Sequence, residues 1–186
     1  EKLERSKNID RIFKSLVWSI GGNYNSGNFA AKLNIGKSFR MPIAKELGAN
    51  GVNYHYFSYE KGNANLNPEQ SFQGDLTLAW TANNWFIQLS PFYNYFPNYI
   101  YLNPTSKYDF FYGAGNQVFQ YTQSRVERYG AEFNLKFNLQ KGFSTELLGE
   151  FLHARQISGD KKGYTLPFTT PQSFLLNVSY APQFKG

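Results

Sequence analysis

The chain has 186 residues, 41% of them hydrophobic, enough for the core of one ordinary domain. Aromatic residues make up 19%, with 18 Phe and 14 Tyr against a single Met, and such side chains favour pleated strands over helices. No run approaches the roughly 18 to 20 apolar residues of a membrane-spanning helix, while a mean hydropathy of −0.51 leaves a membrane barrel open, because lipid-facing and lumen-facing residues alternate there. The absence of cysteine removes disulfide frameworks, thiolate metal sites and cysteine nucleophiles together. The net charge of +6 comes from 19 Lys and Arg scattered along the chain, not from a dense run, so no nucleic-acid partner is expected.

Successive side chains on a strand face opposite sides, so sustained period-two alternation marks strands. In chain order, Leu16, Trp18, Ile20, Gly22 and Tyr24 oppose Val17, Ser19, Gly21, Asn23 and Asn25. Phe29, Ala31, Leu33 and Ile35 follow, against Ala30, Lys32, Asn34 and Gly36. Then come Phe72, Leu76, Leu78 and Trp80, and next Trp85, Ile87 and Leu89. The clearest case spans 128–139, where Tyr129, Ala131, Phe133, Leu135, Phe137 and Leu139 alternate with Arg128, Gly130, Glu132, Asn134, Lys136 and Asn138. The segment Phe143 to Arg155 is weaker, since Leu148 and Leu152 share a face with Glu146 and Glu150. Phe174, Leu176, Val178 and Tyr180 complete about seven strands of an all-β fold.

Alternation alone fits a soluble sandwich as well as a membrane barrel. The connections separate the two. Short links at 25–28, 81–84 and 139–142 alternate with long ones at roughly 40–70, 96–120 and 156–171, the arrangement of tight periplasmic turns and extended extracellular loops. Aromatics flank every short turn: Tyr24 and Phe29, Trp80 and Trp85, Phe137 and Phe143, then Tyr180, a girdle for one membrane interface. Tyr93, Tyr95, Tyr99 and Tyr101 are expected to form the second girdle. The opposite faces carry Lys32, Asn34, Arg40, Gln73, Asp75, Gln88, Asn94, Arg128, Glu132, Lys136, Glu146 and Glu150. A small barrel cannot hold these charges, so the expectation is an antiparallel transmembrane β-barrel of large size, in contact with outer-membrane lipid, of which residues 1–186 form a part. The beginning EKLERSKNID has no signal-peptide pattern and the ending SYAPQFKG no closing aromatic strand; both read as cuts in a longer chain.

No catalytic grouping emerges. Glu146 and Glu150, four apart on one strand face, are separated by about 13 Å, beyond glycosidase spacing. Neither a phosphate loop nor a Ser-His-Asp set is present, and no enzyme activity or cofactor is expected. Arg40, Glu46 and Glu69 stand at strand-to-loop junctions, where charged groups pair to fix a loop.

The stretch NIGKSFRMPIAKEL (34–47), followed by YEKGNANLNPEQS (59–71), resembles the strand-loop-strand signature of TonB-dependent outer-membrane receptors, carried here by Phe39, Arg40, Pro42, Glu46, Leu47, Gly62, Asn63, Leu66, Pro68 and Glu69. The resemblance implies a 22-stranded barrel closed by an N-terminal plug domain that lies outside this chain. It implies energy from a periplasmic TonB protein acting through the plug, and uptake of a small-molecule or metal-chelate ligand caught by extracellular loops. A non-energised binding or adhesion barrel is the alternative.

For the ligand, the loops carry Tyr54, Tyr56, Tyr59, Tyr99, Tyr101, Tyr108, Tyr112 and Tyr121, with Arg40, Lys107 and Arg125 near them in the topology. Such a wall suits an aromatic, anionic ligand such as a ferric siderophore, although loop aromatics also serve to pack loops together. Where some haem- or metal-importing relatives carry two histidines, this chain has Asn53 and Tyr54, with His55 one place later; a lone histidine can ligate haem, whereas zinc needs three or four ligands, so no metal site is expected. His153 reads as interfacial. The candidate ligand-binding residues are Arg40, His55, Tyr56, Tyr108 and Tyr112.

Overall fold

Strand forms wherever the sequence alternates, and in places where it does not. The structure of the protein, a computed structural model, describes residues 8–110, 115–139, 142–166 and 169–182. Among these are β1 (Trp18–Ser26), β2 (Phe29–Arg40), helix α1 (Ala44–Gly48), β3 (Asn50–Asn53), β4 (Ser58–Lys61), β5 (Glu69–Ala82), β6 (Trp85–Asp109), β7 (Asn116–Asn138), β8 (Phe143–Gln156) and β9 (Ser173–Tyr180). The seven strands expected from the sequence, β1, β2 and β5 to β9, make one antiparallel meander in that order, open at β1 and β9. β3 and β4 are a hairpin inserted in the first long loop.

Two-residue loops close the first two short turns, at Gly27–Asn28 with Gly27 at φ 54° and at Asn83–Asn84 with Asn83 at φ 39°. Both residue types tolerate the left-handed region. Directly opposed residues share a face, and the register joins Phe29, Trp80, Ile87, Leu135, Leu147 and Leu176 into one apolar row across six strands. On the other face Ser90, Glu132, Glu150 and Ser173 make a row, as do Lys136, Glu146 and Asn177. Lys136 Nζ lies 3.0 Å from Glu146 Oε1. Every polar residue assigned to the lumen from the sequence falls on this second face.

Among the described residues nothing covers the apolar face: Ile20 is 68% exposed and Leu176 62%. The buried hydrophobic residues, Leu66, Ile100, Val118, Val126, Ala154 and Leu166, all lie at or beyond the loop ends of the strands. A soluble sandwich buries its alternating face, whereas here the burial lies outside the alternating band. The band has the height of a membrane. From Glu127, the charged residue at its upper limit, to Phe137 beside the turn is about 33 Å along the strand, or roughly 25 Å at a barrel tilt near 40°. The turn-end girdle is present, with Trp85 against Phe137 at 4.0 Å, Phe143 stacked on Tyr180 at 4.3 Å and Tyr24 near Phe29 at 6.5 Å.

Two expectations are corrected. Residues 96–120 are not one long loop, because β6 and β7 run on as a paired hairpin well above the band, to Asp109 and from Asn116. This part hides from a periodicity test because both of its faces are partly polar and its register shifts between Phe96 and Tyr99 and between Pro104 and Tyr108. Pro97 and Pro104 stand at these bulges, where a missing N–H is tolerated. The first bulge also reverses the facing of the residues beyond it. Tyr93 and Tyr95 keep to the apolar face, but Tyr99 turns to the inner side opposite Ser124, packing on Phe96 and the Val126, Ala154 and Leu166 cluster, and Tyr101 follows opposite Thr122. The upper girdle is instead the row Tyr93, Tyr129 and His153, with the last two rings 5.0 Å apart.

The two faces predict opposite responses to charge. Ala131→Arg, on the apolar face near mid-band, is expected to cost about 2 to 4 kcal/mol. Glu132→Arg, one residue on, faces Glu150 on the inner side and is expected to be neutral or stabilising. Urea unfolding of the full-length protein in lipid bilayers measures both.

Candidate functional site

The first long loop is fastened by the residues that carry the family resemblance. Arg40, at the end of β2, donates from Nη1 to both oxygens of Glu46 (3.0 and 2.9 Å) and from Nη2 to Glu69 (3.2 Å), its register partner on β5. Glu46 also accepts from the Ile43 N–H at 2.9 Å, which caps α1, and is itself buried. The Glu46 hydrogen bond lifts the Arg40 pKa further above its ordinary range, against the opposing effect of burial. Glu69 reaches on to accept the Ile100 N–H of β6 at 2.8 Å.

The second half of the signature closes on the first. Asn63 N–H donates to Glu46 O (2.8 Å) and Gly62 N–H to Ala49 O (2.7 Å). A Cβ on Gly62 would lie 2.6 Å from backbone atoms of Leu47, Gly48 and Ala49, so only glycine allows this approach. Asn63 Oδ1 accepts from Asn65 N–H, and Leu66, 1% exposed, plugs the turn. Arg11, before β1, holds the same turn from outside through Ala64 O and Leu66 O.

Beyond this clamp, β4 lies parallel along the upper part of β7, with Ser58 opposite Gln117. Two glutamines of β7 read the loop backbone: Gln120 Nε2 donates to Gly62 O at 2.9 Å, while Gln123 exchanges hydrogen bonds with Asn67 N–H and O at 2.9 and 2.7 Å. β6, β7, β4 and β3 thus form a four-stranded extracellular sheet. An open cleft of about 580 Å³ lies along β3, lined by Lys45, Asn53, Tyr54, His55 and Glu60 among others. At its floor the buried Glu60 is held by Lys45 Nζ at 2.7 Å and Asn53 Nδ2 at 2.6 Å. Hydrogen bonding to Glu60 raises the Lys45 pKa.

The expected ligand residues fall into separate places. His55 and Tyr56 are exposed in the β3–β4 turn, with rings 6.1 Å apart in an edge-on arrangement. Tyr108 pairs with Gln117 from the β6 side, across β7 from Ser58, and has Phe110 at 6.5 Å. Parallel pairing therefore brings Tyr54, Tyr56, Phe57, Tyr108 and Phe110, each more than half exposed, to one end of the sheet. Phe57 sits there at φ 48°, a conformation costly for a bulky residue and here held at the tip of a hairpin. Arg40 is not with them; it is committed to its carboxylates about 20 Å lower, six residues down β7 from Gln117 to Gln123. Tyr112 lies outside the described residues.

The other loop tyrosines pack the loops. Tyr59 donates to Asn50 Oδ1 at 2.8 Å, and Tyr121 lies against Lys45 and Glu60 with its pKa raised chiefly by burial. Arg125 alternates onto the outer, lipid side. Lys45, Glu60, Gln120 and Gln123 carried no signal in the sequence, because their partners are loop backbone or residues brought near by the crossing of the first loop to β7.

Gly62→Ala is expected to undock the loop, raising amide exchange across 44–66 by about ten- to a hundredfold, equivalent to a loss of about 1 to 3 kcal/mol of local stability. Glu46→Gln, which leaves the Arg40 charge half paired, should give a smaller change in the same segment. Exchange mass spectrometry of the full-length protein in detergent measures both.

Solved structures with the same fold include the copper transporter OprC, which superposes with a TM-score of 0.71 at 16% identity over 89% of this chain and 24% of its own. The siderophore receptor PirA from Pseudomonas aeruginosa gives 0.61 at 22% identity over 75% and 28%. The FrpB iron transporter from Neisseria meningitidis gives 0.59 at 10% identity over 89% and 24%. The chain spans about a quarter of the length of these proteins. Residues 3–186 match the family described as TonB dependent receptor-like, beta-barrel, and the chain belongs to that family of Gram-negative outer-membrane barrels.

Proposed function

We propose that this barrel segment belongs to a receptor for energised uptake of a scarce nutrient, a ferric siderophore or another iron complex, and that it catalyses no reaction. The observation that carries the reading is the group of exposed aromatics at the top of the extracellular sheet, Tyr54, Tyr56, Phe57, Tyr108 and Phe110, with His55 and Lys107 beside them. Aromatic faces and tyrosine hydroxyls suit a large chelate with aromatic or hydroxamate groups, and a nearby cation suits its negative charge. The fastening of the loop below supports the same role, since a pre-ordered loop loses less entropy on capture. Two of the structural relatives are described as a siderophore receptor and an iron transporter, and a third as a copper transporter.

In this mechanism the loop aromatics take the ligand first, and a plug domain within the lumen receives it. The inner face offers the plug a polar wall of Arg128, Glu132, Glu150 and the Lys136–Glu146 pair. A periplasmic TonB protein acting on the plug then opens the path.

The test uses the full-length receptor. Replacing Tyr56 and Phe57 together by alanine is expected to weaken binding of the cognate ferric siderophore about tenfold and to slow growth on it as sole iron source. Binding and growth that are unchanged by this variant, or uptake that persists without TonB, would overturn the reading.

A further inference from the structure

The two ends of the apolar band differ in chemistry. At the turn end, the outer-face residues nearest the turns are Tyr24, Phe29, Trp80, Trp85, Phe137, Phe143 and Tyr180, and among the described residues no charge stands with them. At the loop end the outer face changes in layers. Leu89, Phe133 and Phe151 belong to the aliphatic and aromatic band; above them comes the row Tyr93, Tyr129 and His153, then Tyr95, Glu127 and Arg155, and finally Arg125.

Alternation places Arg125 outward, because its neighbours Ser124 (4% exposed) and Val126 (0%) are buried on the inner side. Its backbone stays in the ladder, accepting from Ile157 N–H at 2.8 Å, so Arg125 and Arg155 are diagonal neighbours on β7 and β8. Such neighbours lie about 7 to 8 Å apart at the backbone, a separation two guanidinium groups can close around one phosphate. Arg125 is exposed, and its side chain makes no hydrogen bond or ion pair among the described residues. Arg155 gives only its Nε–H to Glu127, at 2.5 Å, which leaves its two amino groups free, and it is half exposed. On the same register row, three strands from Glu127, Lys37 lies over the Phe72 ring at 5.5 Å. Three cations against one carboxylate therefore sit just above the hydrocarbon limit, on the lipid side and only at the extracellular end.

We propose that this surface, centred on Arg125 and Arg155, binds the phosphate groups of the phosphorylated glycolipid that forms the outer leaflet of the outer membrane. The layering matches such a lipid from its tails upward: acyl chains on the band, sugar and amide groups on the Tyr93, Tyr129 and His153 row, phosphates on the arginines. The bare aromatic girdle at the turn end faces the inner leaflet, where that lipid is absent.

Native mass spectrometry of the full-length receptor in detergent, titrated with bis-phosphorylated lipid A, tests the assignment. R125Q/R155Q is expected to weaken binding about 10- to 30-fold, and removing the lipid's phosphates should weaken binding to the unmodified receptor by a similar factor. R125K/R155K should keep most of the affinity, while E127Q, which frees Arg155, should increase it. The proposal fails if the dephosphorylated lipid binds equally well, if R125Q/R155Q folds and binds unchanged, if E127Q weakens binding, or if millimolar inorganic phosphate displaces the lipid. Siderophore binding by R125Q/R155Q should remain intact, separating this surface from the loop tips.

Discussion

The structure depends first on an unbroken register through the apolar band. In hydrocarbon no water can satisfy a stray N–H or C=O, and a slip of one residue would carry every apolar side chain of a strand to the wrong face. The pairings of β1 with β2, β2 with β5, β7 with β8 and β8 with β9 contain no shift. The β5–β6 ladder lapses opposite Pro91, which has no N–H, yet resumes in the same register. Both bulges of the β6–β7 pair fall above Tyr95, where water and loops can satisfy the backbone.

That release of the register above the membrane makes room for the extracellular sheet. The bulge at Pro97 turns Tyr99 and Tyr101 inward, and they bury against β7, β8 and the third loop. The first loop then crosses to β7 and pairs with it in parallel, a geometry that no local hairpin could produce. The family signature thus describes a fastening. Arg40, Glu46, Gly62, Asn63 and Glu69 fix where the loop starts and returns, and leave Tyr54 to Phe57 exposed at the far turn of the hairpin between them.

The same alternation assigns charge to two different partners. Inner-face residues such as Glu132 and Glu150, opposed without a cation between them, present their charge to whatever fills the lumen. Arg125 and Arg155 present theirs to the membrane surface. Sequence neighbours thus serve opposite sides of a wall one side chain thick, as Val126 and Arg125 show.

Membership of the sheet, the lipid face, the turns and the girdle beside them were legible in the sequence, because a two-residue period and short polar links are local properties and lipid enforces them strictly. The signature residues were legible as a group, and Arg40, Glu46 and Glu69 as a pairing set. The sequence could not show that residues 96–109 and 116–126 are strand, since outside the bilayer no solvent boundary imposes alternation and two bulges scramble what remains. Nor could it show that β4 pairs with β7, or that Gln120 and Gln123 hold the loop. Those facts rest on contacts between residues about 55 to 60 positions apart, which only the crossing of the first loop onto β7 brings together.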